Sequence, residues 1–442
     1  MPGGTFDKIV GKVRPGTYIN FESTRPTRIR GRNRGAVTIP LINHPYGPGE
    51  EFIRIARNAP EAQRHKLGYS VFDPELLLVR EALKAAAEVV VYIPKQGAKA
   101  TATENNLTVT AKYGGARGND LRVAVTANPT GGFDVSVWLG SDRVFNVTGL
   151  SEIDELIKVG NNDWVDFAGG GALVAHAGFS LSGGVTGNAT NADITKYIDS
   201  SESQSWDTMA FPIAQAALKA AVASKIKYLR DNGKYRTAAV SGLQADCIGI
   251  INVTNGVVLN DGTEIDAFKA TAFIAASDAA ALYHIESLTY RPYEGAVSIL
   301  GEKNHEEAEA AINKGEFFFS WNERGEVAVE YDINSLVTFE RPKGEYYRKN
   351  RVRRTLDSFA KDVMLEFPPN RFHNNEDAWD AMEGLGRELL LRYEGNNAIM
   401  NVNFEEDFRV NRGESIGDEV FFDVFIQPVD SAEKLFFTIK TR

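Results

Sequence analysis

The sequence predicts a mixed fold, α/β in its core and α+β overall, divided among several domains. Three observations carry that reading. Strand–helix–strand alternation occurs twice, over residues 34–95 and again beyond residue 188. Between them, residues 96–187 are rich in Gly, Thr, Asn and Val in alternating stretches such as NLTVTAKY, LRVAVTAN and FDVSVWL. Both extremities of the chain are apolar strands.

The opening strand is RPGTYINFES, residues 14–23. Ile19 and Phe21 point one way, while Tyr18, Asn20 and Glu22 point the other, the period-2 pattern of a half-buried strand. Terminal residues stay disordered unless something ties them down, so another element must cover it. RGAVTIPLI (34–42) is a second strand, closed by the turn-forming NHPYGPGEE. DPELLLVREALKAAAEVVVYIPK then predicts a helix capped by Asp73, with Pro74 in its first turn, leading into the strand VVVYIP.

Composition shifts at Gln96, marking a β-rich domain inserted into the first, with one short helix at SEIDELIKVG. Its exit, FSLSGGVTGNATNADI, is a boundary linker. The α/β alternation resumes through a helix at DITKYIDSSESQ, the buried strand WDTMAFPI, the long helix AQAALKAAVASKIKYLRDNG ended by Gly233, the strand YRTAAVSG and IGIINVTNGVVL. DAFKATAFIAASDAAAL follows as a helix with a small-residue face. A layered core with a parallel sheet is the economical reading of that order.

The last hundred residues contain a hairpin, FFFSWNERGEVAVEYDI, turning at Arg324-Gly325, then two helices, RTLDSFAKDVMLEF and NNEDAWDAMEGLGRELLLRYEGNNAI. In DEVFFDVFIQPVDSAEKLFFTIKTR, residues Val420, Phe422, Val424 and Ile426 share one face. After a turn, Leu435, Phe437 and Ile439 form a final strand.

Composition narrows the function classes. With 442 residues, 43% hydrophobic and 24% charged, the chain is globular and long enough for two to four domains. No apolar run approaches the roughly 18 residues of a membrane span, and MPGGTFDKIVGKVRPG has no hydrophobic secretory core, so the expected setting is cytoplasm-like, without membrane insertion. Cys247, in CIGIINV, is read as a small buried thiol rather than a nucleophile. A net charge of −10 is unlike that of a nucleic-acid binder.

Positive charge is nevertheless concentrated in two blocks. One holds Lys8, Lys12, Arg14, Arg25, Arg28, Arg30, Arg32 and Arg34; the other is RPKGEYYRKNRVRR, residues 341–354. Each is either a solvated face or a protein contact. Catalytic motifs are missing: no GxGxxG follows a strand, and neither GxxxxGK[ST] nor GxSxG occurs. GGARG (114–118) and AGGGALVAHAG (168–178) read as turn or bulge glycines. The histidines stand singly, and NHEE at His305 lacks the second histidine of a zinc helix, so no catalytic, cofactor or metal residue is assigned.

RPGTYINFES, RGAVTIPLINHPYGPGEE, AKYGGARGNDLRV and the ending VDSAEKLFFTIKTR, in this order, resemble the contractile tail sheath proteins of bacteriophages, prophages and phage-tail-like particles, over essentially the whole chain. The resemblance implies a structural subunit that polymerises with copies of itself as a helical cylinder around an inner tail tube. Contraction then drives that tube through a bacterial envelope, serving genome ejection in a phage. It further implies baseplate and tail terminator partners, no direct nucleic acid, no cofactor, and a place in the tail of a particle assembled in the host cytoplasm. Residues 1–23 would be an N-terminal linking arm, 24–95 and 188–335 the core domain, 96–187 an outer domain, and 336–442 a tube-facing domain ending in a second arm. Tyr18, Ile19, Phe21, Leu435, Phe437 and Ile439 would be the arm residues that extend a neighbour's sheet, which also satisfies backbone groups that an isolated strand leaves unpaired.

Arg348, Lys349, Arg351, Arg353 and Arg354 are the candidate contact to an acidic tube surface. Gly11, Gly16 and the stretch Gly413–Gly417 are the candidate bending points of the arms. Two alternatives stand beside this reading: an α/β-core enzyme with an unrecognised site, and another self-assembling particle subunit.

Overall fold

The computed structural model describes residues 35–339 and 344–441, and the backbone of 3–4 and 17–18. The chain divides into two units, Met1–Asn33 and Arg34–Arg442. In the first, β1 (Gly3–Gly4) pairs in parallel with β2 (Thr17–Tyr18). Ile19, Phe21, Gly11 and Gly16 lie outside the described residues.

The second unit is organised by a seven-stranded sheet. Its first strands are β3 (Ala36–Pro40), β4 (Phe52–Ala56) and β5 (Glu88–Tyr92), with the short helices α1 (Arg64–Leu67) and α2 (Leu77–Leu83) between the last two. Asp73 does not cap as the sequence predicts. Its carboxylate accepts from the Ser70 backbone N–H at 2.8 Å, and a 3-10 turn, Pro74–Leu76, precedes α2. Pro40 sits at the end of β3, where a missing N–H costs the ladder little.

The chain then enters the β-rich insertion: β6 (Thr101–Glu104), β7 (Leu107–Ala111), β8 (Leu121–Ala127), β9 (Phe133–Leu139), β10 (Asp142–Leu150), α3 (Ile153–Val159), β11 (Val165–Gly169) and β12 (His176–Ser180). Two sheets, ordered β10-β9-β8-β12 and β11-β7-β6, share a core that includes Val109, Val123, Val125, Val135, Val137 and Trp164. Alternate residues of β7, β8 and β9 are buried, as a sheet with one face toward a core requires. The insertion is tied to the central layers through the 44–47 turn. The Arg117 backbone N–H donates to the Pro45 carbonyl at 3.0 Å, and the Tyr46 ring stacks on Trp164 at 6.4 Å. His44 donates from Nε2 to the Leu67 carbonyl at 2.8 Å, and burial lowers its pKa to about 4, so the ring is neutral at neutral pH.

Beyond the insertion come α4 (Asn191–Ser200), β13 (Thr208–Phe211), α5 (Ala216–Asp231), β14 (Thr237–Ser241), β15 (Ile250–Val253), β16 (Gly256–Leu259), β17 (Glu264–Ile265), α6 (Ala267–Ala280), β18 (Ala296–Leu300), α7 (His305–Asn313) and β19 (Glu316–Phe317). The large sheet runs β19-β15-β14-β13-β3-β5-β4, parallel throughout except where β4 pairs with β5. Its central strands β13, β14 and β15 are buried on both faces and read as largely apolar runs, whereas the edge strand β4 exposes Arg54. Leu218, Val222, Ile226 and Leu229 of α5, with Ile194, Tyr197 and Ile198 of α4, cover one face. Helices α2 and α6 cover the other.

Every residue of α6 from Ala270 to Ala279 is buried, the mark of a helix enclosed on all sides. Cys247 is half-buried beside the sheet rather than fully enclosed, its Sγ accepting from the Gly249 N–H at 3.4 Å.

A hairpin of β20 (Phe319–Trp321) and β21 (Val327–Val329) follows. Its turn is made by Asn322, whose Oδ1 accepts from the N–H groups of Arg324 and Glu326 at 2.9 Å, and by Gly325, whose φ of +73° suits glycine. The C-terminal elements are α8 (Asn350–Glu366), α9 (Glu376–Gly395), β22 (Ile399–Met400), β23 (Phe408–Val410), β24 (Phe422–Val424) and β25 (Gln427–Pro428). β22 pairs with β25 and β23 with β24, around a core of Phe359, Leu389, Leu390, Tyr393, Ile399 and Phe408. Asn375 caps α9 by accepting from the Ala378 N–H. Helix α9 approaches β23 so closely that a Cβ on Gly386 would lie 2.1 Å from the Phe408 ring.

The Gly413–Gly417 stretch lies in the loop joining β23 to β24. Ser415 is buried there, accepting from the Phe421 N–H at 3.0 Å. That corrects its expected role as a bending point of an arm, because it is internal to the C-terminal domain.

Candidate interaction site

The segment that carries most positive charge in the second half of the chain is turned inward. Lys349 is the N-cap of α8, and Arg351, Arg353 and Arg354 lie in its first turns. Arg348, Lys349 and Arg351 are 8% exposed, Arg353 2% and Arg354 0%. The expectation that these five form a solvent-facing contact for a tube is thereby corrected for the chain as it folds. Burying a charge is costly unless partners are brought to it, and the fold supplies them from distant elements.

Asp278, the buried carboxylate of the otherwise apolar α6, receives both Arg353 and Arg354, the latter at 2.8 Å, and its other oxygen accepts from Thr208 Oγ1 at 2.9 Å. Asp332 accepts from Arg354 at 2.7 Å, from Asn350 at 2.9 Å and from the Leu288 N–H at 2.9 Å. Arg230 of α5 holds Asp357 of α8 in a two-pronged pair at 2.9 and 2.7 Å. Arg353 completes the cluster with Thr237 Oγ1 at 2.5 Å and Asp357 at 3.4 Å.

Three arginines thus face three aspartates, all nearly dry. Burial by itself would weaken the charged forms. For Arg354 the fields and hydrogen bonds of Asp332 and Asp278 outweigh it and hold the guanidinium above its usual pKa. For Asp357, burial is likewise outweighed by Arg230 and Arg353, which hold the carboxyl below the usual range. Arg353 goes the other way: burial dominates, lowering its pKa despite Asp278 and Asp357. The cluster pins α8 to α5, α6 and β14, so the central layers and the C-terminal domain are joined by a charged core as well as an apolar one.

Of the five basic residues, Arg348 and Arg351 make no ion pair among the described residues; Arg351 donates to Ser431 Oγ and to the His284 carbonyl. The Nε and Nη2 of Arg348 are buried without hydrogen-bond partners.

The C-terminal segment shows the opposite arrangement. After β25, the Val429 N–H donates to the Ala398 carbonyl at 2.9 Å, and no strand follows among the described residues. Arg351 donates to Ser431 Oγ at 2.6 Å. Glu433 is held by Lys349 and by the hydroxyls of Ser287 and Thr289, each at 2.7 Å. Beyond it Leu435, Phe436, Phe437 and Ile439 are 66%, 93%, 81% and 87% exposed. The predicted final strand therefore has no intrachain partner among the described residues. Phe436 joins its apolar set, a residue that the one-face reading of Leu435, Phe437 and Ile439 passed over although the aromatic is plain in the sequence.

Large apolar side chains in such density are rarely left in water by a monomeric protein. Burying each contributes about 1.5–3 kcal/mol, against about 1–2 kcal/mol per residue for ordering the backbone, so the segment gains most where its N–H and C=O groups also find partners. Of the proposed arm residues in the first unit, Tyr18 alone is described, by its backbone, paired through β2 with Gly4.

The carboxyl end of β13, next to the switch point between β13 and β3, opens onto a groove of about 430 Å³ with Pro212, Ala214, Glu75, Asp266 and Lys269 in its wall. Asp266 caps α6 by accepting from the Lys269 N–H at 2.8 Å, and Lys269 Nζ donates to the Glu264 carbonyl at 3.1 Å. These polar groups serve the helix end. Among the described residues no cluster of histidine, cysteine and carboxylates has metal-binding geometry, and no helix is long and apolar enough to cross a membrane.

Comparison with known proteins follows this division of the chain. The phage tail sheath beta-sandwich domain matches residues 95–188, the central domain 187–335 and the C-terminal domain 342–442. The phage-like element PBSX protein XkdK of Bacillus subtilis is 34% identical, with 100% of both chains covered. The crystal structure of a sheath tail protein from Desulfitobacterium hafniense superposes with a TM-score of 0.83 at 36% identity, over 95% of this chain and 98% of that one. A sheath tail protein from Listeria innocua gives a TM-score of 0.78 at 33% identity, over 92% and 94%. The helical sheath of the anti-feeding prophage in its contracted state shares the fold, with a TM-score of 0.57 at 12% identity over 98% of this chain and 100% of that one. The chain belongs to the phage tail sheath protein family, as a structural subunit of a contractile tail sheath.

Proposed function

We propose that this subunit polymerises with copies of itself into a helical cylinder around an inner tail tube, and that its two terminal arms, 1–23 and about 434–441, each add a strand to a neighbouring copy's sheet. Contraction of the cylinder drives the tube through a bacterial envelope. Residues 96–187 face outward, 336–442 face the tube, and the baseplate and a tail terminator bound the cylinder. Assembly takes place in the host cytoplasm, and the role is structural rather than catalytic.

The observation that carries this reading is the run of exposed apolar side chains from Leu435 to Ile439, directly after a fastened Glu433. A head-to-tail contact of that kind propagates into a filament unless its rotation completes a ring. Tyr18, Ile19 and Phe21 are the proposed counterparts in the first arm. Electron microscopy of the purified full chain should show striated hollow cylinders, and a chain ending at Lys434 should show none. Cylinders from the shortened chain indistinguishable from the intact ones would refute the arm.

A further inference from the structure

The arm begins at a clamp. Val429 is the last residue fixed by backbone pairing in the C-terminal domain; Ser431 is then held by Arg351, and the last firm attachment before the exposed run is Glu433. Its side chain is only 9% exposed, in a segment whose following apolar residues are open to solvent. One carboxylate oxygen accepts from Ser287 and Thr289, on the loop between α6 and β18, and the other from Lys349 at the N-cap of α8. Thr289 Oγ1 also accepts from the Asp332 N–H at 3.0 Å, and Asp332 is a member of the buried arginine–aspartate cluster. The clamp is thus continuous with the charged core that joins the central layers to the C-terminal domain.

We propose that Glu433 is a positioning residue for the C-terminal arm: held by Lys349, Ser287 and Thr289, its carboxylate sets the point and direction at which the arm leaves the subunit, and so which neighbouring copy it reaches. This rests on the reading of residues 434–441 as an inter-subunit arm. The geometry gives the clamp its purpose. From Glu433 the remaining residues to 441 span at most about 26–29 Å when extended; released back to Ser431, which Arg351 holds, the free segment spans about 33–36 Å. Loosening of that size dilutes the arm at its target by about 1.4-fold from length alone, and further because its direction is lost. In a helical array every copy needs the same exit vector, and a tether to two domains at once supplies it.

The test uses the full-length chain with Glu433→Ala and Glu433→Gln, beside the chain ending at Lys434. Sedimentation gives the concentration at which cylinders form, and thermal melting gives the stability of the soluble subunit. Glu433→Ala should raise the cylinder-forming concentration about two- to tenfold, beyond what any fall in the subunit's melting temperature from the unpaired Lys349 accounts for. Glu433→Gln, which keeps acceptors for the two hydroxyls, should fall between it and the natural chain. A merely structural role would instead lower the melting temperature in step with assembly, and that outcome overturns the inference. So does Glu433→Ala assembling at the natural concentration while the shortened chain fails. If the shortened chain assembles like the intact one, the arm reading falls, and the clamp's role falls with it.

Discussion

The start of α8 and the C-terminal arm invert each other. Residues 348–354 carry five basic side chains and are buried; residues 435–439 carry four large apolar ones and are exposed. In each case the partner decides. Arg353 and Arg354 are tolerated in a dry interior because Asp278, Asp332 and Asp357 meet them there, whereas Leu435, Phe436, Phe437 and Ile439 have no cover within their own subunit among the described residues. Charge inside is a sign of a completed contact. Apolar surface outside is a sign of one still to be made.

The comparison breaks first, and hardest, at Arg354. Arg354→Met leaves Asp278 and Asp332 short of a buried partner, and should cost about 3–5 kcal/mol in urea unfolding of the soluble subunit. A loss under 1 kcal/mol would mean that the cluster is wetter and more exposed than its geometry shows.

His44 sharpens the contrast by being buried without a counter-charge. Its pKa in the fold is about 4, below the 6.5 of the free side chain, so the unfolded chain takes up a proton first as acid is added. The associated stability is fully present above about pH 6.5 and is lost as pH falls toward 4, to a total of about 3 kcal/mol. Asp357, held below the usual carboxylate range by its arginines, loses its contribution only at lower pH, as its own folded pKa is crossed. His44→Gln should flatten the melting-temperature profile between pH 6.5 and 4; an unchanged profile removes the assignment.

The arm should give the smallest effect on folding. Phe436→Ser with Phe437→Ser removes two exposed rings, and the stability of the soluble subunit should move by no more than about 0.5 kcal/mol. Assembly should nevertheless fail, which is the separation between folding and polymerisation that the comparison asserts.

Much of the fold was legible. Apolar runs marked the parallel strands, alternation marked the β-rich insertion, and Arg324-Gly325 marked a turn, to which the structure adds the Asn322 side chain as acceptor. Departures came where a local signal met a distant partner. Asp73 sits where a cap belongs, but its carboxylate is taken by the Ser70 N–H. The run RKNRVRR looks in one dimension like a solvated or partner-binding face, because nothing in its neighbourhood announces Asp278, which lies some 75 residues away. Glu433 carried no sequence signal at all: one carboxylate in VDSAEK is ordinary until Ser287, Thr289 and Lys349 are seen around it.

By itself, then, the sequence determined the order and type of the elements, the presence of an apolar segment at the C-terminus, and the lack of any recognised catalytic motif, since all of these follow from patterns within a few residues. Only the tertiary structure decided which charges are buried and which apolar residues are exposed. Those outcomes depend on what the folded chain brings alongside each side chain from afar, and the free energy of a charge or a ring is set by that neighbour and not by its place in the list.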